Sequence, residues 1–126
     1  MFSRRAPYGA RVSNDRRPDG SRVEGLARSL RRLDGRVRRW STTGWANRGS
    51  AGRTRAEDAY DLAVALAELG RKAGNGAPDE PPPVVPAHAI ADQLTVLGRE
   101  LQEAPGAATY AEAGVAAVEH FLAGQK

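Results

Sequence analysis

The sequence predicts an all-α fold: a small bundle of about four helices, arranged as two helical hairpins joined by a proline-rich linker, behind a flexible basic N-terminal arm. Three observations carry that prediction. Apolar residues recur at steps of three and four in four separate stretches, which is the spacing of one helix face. Ser/Thr-x-x-Glu capping signatures stand at Ser21–Glu24, Thr54–Glu57 and Thr109–Glu112. No stretch alternates apolar and polar residues in the manner of a half-buried strand.

Residues 1–20 have no hydrophobic period and end in the turn formers Pro18, Asp19 and Gly20, so they predict the arm, which carries Arg4, Arg5, Arg11, Arg16 and Arg17. Residues 21–73 predict a basic hairpin. Its first helix opens at the Ser21–Glu24 box and has the seam Val23, Leu26, Leu30, Leu33, Val37 and Trp40. Gly25 and Gly35 weaken that helix by ~1 kcal/mol each relative to alanine, so it needs tertiary support. The loop "STTGWANRGSAGR" follows, and Thr54–Glu57 opens a second helix with the seam Ala59, Leu62, Leu66 and Leu69 and a stop near Gly70 and Gly74.

Residues 74–86, "GNGAPDEPPPVVP", form an extended linker, because four of the last six residues are proline. Residues 87–124 predict an acidic hairpin that packs with 21–73 as one domain. Pro86 suits the first helical position, and Ala87, Ile90, Leu94, Leu97 and Leu101 make the third seam. "APGAA" interrupts it, after which the Thr109–Glu112 box opens the fourth helix, with the seam Ala111, Val115, Val118 and Leu122 and a stop at Gly124.

The core must be thin. Within 126 residues there are 14 Gly and 8 Pro but only two Trp, two Phe and three Tyr, so stability has to come from close helix contacts or from a second copy of the chain. Cysteine is absent, which excludes disulfide and thiol chemistry. No apolar run approaches the ~20 residues of a membrane-spanning helix. "MFSRRAPYGARVS" lacks the apolar core of a secretory signal, so a cytoplasmic location is expected. The bias to Arg, Ala, Gly and Pro is that of a GC-rich genome and suggests a bacterial source.

Charge is unevenly distributed. Residues 1–55 carry 15 arginines against four acids, a net +11, and residues 56–126 carry four basic residues against eleven acids, a net −7. Such segregation points to a polyanionic partner, or to a chain that pairs its two halves within or between copies. On a heptad with Val23 at a and Leu26 at d, the residues Arg28, Arg31, Arg32, Arg38 and Arg39 fall opposite the seam. A five-guanidinium stripe is therefore expected in water, able to meet phosphates bidentately, with Arg48 and Trp45 in the following loop. Trp45 has two readings, stacking on a base or folding back over the bundle end.

Zinc-finger spacing, RNP-like aromatics and a helix-turn-helix are all absent. The expected function is thus non-enzymatic: non-specific binding of the DNA or RNA backbone in an accessory or regulatory role. The alternative is a protein–protein adaptor or homo-oligomeric subunit whose stripe meets an acidic surface, such as Glu57, Asp61 and Glu68 of a neighbouring copy. A membrane-surface role is set aside, because three other seams in the chain compete for the helix-one seam. Neither catalytic residues nor a cofactor or metal is expected. His88 and Asp92 supply two ligands at most and read as solvated, in an outer stripe with Thr95 and Arg99. His120 reads as partly buried on a helix flank. "GSAGRT" lacks the spacing of a phosphate-binding loop.

Overall fold

The computed structural model describes residues 18–40, 43–48 and 51–125, and its architecture is all-helical. Among the described residues four helices follow in order: α1 (Pro18–Val37), α2 (Arg55–Lys72), α3 (Ala87–Glu103) and α4 (Ala107–Ala123), with a 3₁₀ turn at Thr43–Ala46 between the first two. The arm expected over residues 1–20 lies outside the described residues except for its last three, which already belong to α1.

Helix starts depart from two of the three expected boxes. α1 begins at Pro18, one turn ahead of Ser21, which with Glu24 is exposed inside the helix. A proline is favoured there because it has no amide hydrogen to leave unpaired in the first turn. α4 likewise begins at Ala107 behind Gly106, without a side-chain cap, so Thr109 lies within the helix. The Thr54–Glu57 box does form: Thr54 Oγ1 accepts from the Glu57 amide at 3.1 Å and Glu57 Oε1 accepts from the Thr54 amide at 2.8 Å. α2 then closes ahead of Gly74, whose φ of +92° only glycine adopts without strain. Pro86 is the N-cap of α3 rather than its first residue.

The seams supply the core. Leu26, Leu33 and Val37 meet Leu62, Leu66, Ile90, Leu94, Leu101, Val118 and Leu122, all buried, and Phe121 joins them. Trp40 lies just past the end of α1 and is half-buried against this cluster. Because so much of the core is alanine, α1 packs by inserting leucines into notches. A β-carbon at Gly114 would fall 2.9 Å from Leu26 Cδ1 and 3.0 Å from Leu101 Cδ2. The expected dependence on close helix contacts is met in this way.

Pairing of the helices differs from two sequential hairpins. α1 packs chiefly on α4 and secondly on α3, while α2 packs on α3 and α4. α1 and α2 barely touch, and α3 and α4 share little contact despite a connection of only three residues. Each seam determines which face is buried but leaves the partner open.

Residues 75–86 lack regular structure and run along α2 and α3. The Tyr60 hydroxyl donates to the Pro82 carbonyl at 2.9 Å and Gln93 Nε2 to the Pro83 carbonyl at 2.8 Å. The chain end is tied to α2 by Gln125, whose Nε2 donates to the buried Asp58 carboxylate at 3.1 Å.

Candidate nucleic-acid interface

The five predicted arginines of the first helical segment are all exposed, as their phase requires, but they are not equivalent. Arg32 reaches Glu119 of α4 at 2.7 Å. Arg38 bonds Asp34 through Nε at 2.7 Å and Asp92 of α3 through Nη2 at 3.0 Å, and Thr95 Oγ1 closes the group 3.1 Å from Asp34. Hydrogen bonds to Asp92 and then Asp34 push the Arg38 guanidinium above its ordinary pKa. Arg22 approaches Glu112 at 3.8 Å, and Arg36 donates to the Gln125 carbonyl at 3.4 Å. Part of the charge segregation along the chain is therefore resolved inside the molecule.

That leaves a smaller set. Arg28, Arg31 and Arg39 are exposed without an ion pair among the described residues, and so is Arg48 beyond the 3₁₀ turn. Arg99 of α3 joins them. With Arg31 it lines a groove of about 460 Å³ between α1 and α3, floored by Leu30, Leu33, Val37 and Leu94. The heptad places Arg99 in one column with Asp92 and Thr95, which the sequence alone turns outwards. In the fold that column runs along the α1 edge, where Asp92 and Thr95 meet Arg38. The i, i+3, i+7 spacing of those three residues is a readable signal, but the face of α3 that α1 covers is not.

Trp45 is 4% exposed and leaves the interface. Its ring stands edge-on to Trp40, with centroids 4.9 Å apart and planes at 83°. The Arg55 guanidinium lies 4.1 Å from the Trp40 ring centroid. The two rings and the cation close the end of the core, and no face of Trp45 is open to a base. Of its two readings, folding back is the one realised.

The acids named for the alternative are also occupied. Glu57 accepts from the Thr54 amide in the capping box, Asp61 pairs with Arg53 Nη1 at 2.8 Å, and Glu68 pairs with Lys72 at 3.6 Å. The bond to Asp61, with its charge, raises the Arg53 pKa. His88 and His120 are both exposed, the latter contrary to its expected part-burial. Among the described residues no group of three His, Cys, Asp or Glu side chains could hold a metal ion, and no helix is long and apolar enough to cross a membrane. No protein-family model matches the chain, and no curated protein or solved structure matches it.

Proposed function

We propose that this chain is a non-enzymatic helical protein that binds the phosphate backbone of DNA or RNA without sequence preference, in an accessory or regulatory role. The observation that carries the reading is the exposed set Arg28, Arg31, Arg39, Arg48 and Arg99, which has no acidic partner among the described residues. A guanidinium with no internal carboxylate gives up only water when it meets a phosphate, and its planar fork suits two phosphate oxygens. Arg32 and Arg38 would first have to surrender Glu119 and Asp92, so they contribute less. The arginines at 4, 5, 11, 16 and 17 lie outside the described residues and extend the basic footprint in the sequence. A cytoplasmic, bacterial setting accompanies this reading on composition alone.

The adaptor or homo-oligomer reading has less support, because Glu57, Asp61 and Glu68 would each trade an internal contact for an external one. Fluorescence anisotropy with labelled duplex and single strand, at low and at moderate salt, tests the proposal. Binding that weakens steeply with salt is the expected result. Absence of binding at low salt would end it, as would unchanged affinity after joint substitution of Arg28, Arg31, Arg39 and Arg99 by Ala.

A further inference from the structure

A second groove, of about 530 Å³, opens on the opposite flank of α3, between it, the end of α2 and the proline-rich segment. Pro78, Pro81, Pro82 and Pro83 form one wall, and Val96 and Leu97 form the other. Among the described residues the exposed large apolar side chains are Val96, at 52%, inside this groove and Val84, at 80%, beside it. The two exposed valines beside an apolar proline wall make this groove a candidate docking surface. The rim is mostly acidic: Glu80 and Glu100 line the groove and Glu103 stands at its end, none with an ion pair to its carboxylate among the described residues, while Arg71, which also lines it, pairs with Asp79 and donates to the Glu80 carbonyl.

We propose that the occupant is the chain's own segment 1–17, docked in cis. Its composition complements the groove, since it carries five arginines against one acid together with Phe2, Tyr8 and Val12. Its point of entry is right as well. The segment joins α1 at Pro18, and Arg22, one turn on, lies by Glu112 near the start of α4. That start follows the turn at Gly106, whose amide donates to the Ala73 carbonyl at 2.7 Å, next to the Gly74–Ala77 stretch that opens the groove. Seventeen residues reach up to roughly 55 Å when extended, whereas a helix the length of α3 spans about 25 Å. The aromatic and aliphatic side chains would cover Val96, Leu97 and the prolines while the arginines meet Glu80, Glu100 and Glu103. This inference draws on arm arginines that the phosphate reading also counts, so docking and phosphate binding would compete for them, but its test contains no nucleic acid and can fail without touching the exposed set on the bundle.

The chain has no cysteine, so Val84→Cys in the full chain takes a single nitroxide label beside the groove. The expected result is selective loss of the amide NMR signals of residues 2–12, absent when the label sits at Ala116→Cys on the exposed face of α4, one turn from Glu112, where it reaches only the arm residues next to Pro18. Arm signals that persist with the label at Val84→Cys would overturn the proposal. So would loss seen only when isotope-labelled, spin-free chain is mixed with spin-labelled chain, which assigns the groove to a second copy. A label-free readout accompanies it: the triple variant Glu80→Lys, Glu100→Lys, Val96→Asp should expose Arg4 to Arg17 to trypsin several-fold faster than wild type. Equal cleavage rates with unchanged helicity would count against docking.

Discussion

Leu30 of α1 presses into the space above Gly98 of α3, where a β-carbon would lie 2.7 Å from Leu30 Cδ2 and 3.1 Å from Cδ1. The pair resembles Leu26 and Gly114 in form but not in freedom. Leu30 is only half-buried and can swing into the neighbouring groove, while Leu26 and Leu101 around Gly114 are fully enclosed. Gly98→Ala should therefore be close to neutral, the strain offset by the ~1 kcal/mol helix preference of alanine. Gly114→Ala should destabilise by about 1–2 kcal/mol net of that preference. At Gly35 a β-carbon would meet nothing within 4 Å, so replacement by Ala should gain about 0.5–1 kcal/mol. Urea midpoints for the three variants check the order.

The cap residues give a second comparison. Thr54→Ala should cost about 1 kcal/mol, because both hydrogen bonds of the box are present. Ser21→Ala and Thr109→Ala, inside their helices and exposed, should change stability by no more than about 0.5 kcal/mol. Equal losses at all three positions would contradict the helix starts described above.

The same three positions mark how much of the fold was legible. The four seams locate the helices because burial must follow a 3.6-residue period, and every buried leucine, isoleucine and valine of the core belongs to one of those seams. Caps are weaker signals, since helices begin at Pro18 and Ala107, upstream of Ser21 and Thr109. The choice of helix partners could not be read at all. It depends on notches such as Gly98 and Gly114, which in the sequence are merely glycines in helical stretches. For the same reason the carboxylates that occupy Arg32 and Arg38 were hidden, although the exposure of both arginines was plain.

Among the arginines, paired and unpaired members should separate in binding. Replacing Arg28, Arg31 and Arg39 together by Ala should lower polyanion affinity and reduce the salt slope by about 2–3, close to 0.9 per lost phosphate contact. Replacing Arg32 and Arg38 should change the slope less per residue. In stability the order reverses: Arg38→Ala loses the Asp34 and Asp92 contacts at a cost below about 1 kcal/mol, as for other exposed pairs. Because the Arg38 pKa is raised, that contribution is present below the ordinary arginine value for as long as its carboxylate partners are charged, and on the alkaline side it is lost as pH climbs through the raised value. Anisotropy titrations and denaturation midpoints on one set of variants separate the two effects.

Trp45 should matter to folding and not to binding. Trp45→Ala empties a buried site beside Trp40 and should cost about 3 kcal/mol or more. Trp45→Phe, which keeps most of the volume, should leave polyanion affinity unchanged at every salt concentration. A drop in affinity with an intact fold would return the residue to the interface.

The proline-rich segment has one more consequence, for association between molecules. An extended, valine-bearing stretch on a protein surface ordinarily threatens to recruit strands from other chains through its free amide hydrogens. Here Pro81, Pro82, Pro83 and Pro86 have none to offer, and the Pro82 and Pro83 carbonyls already accept from Tyr60 and Gln93. Val84 can thus stay exposed without seeding a sheet, and the groove is open to side chains while closed to β-aggregation.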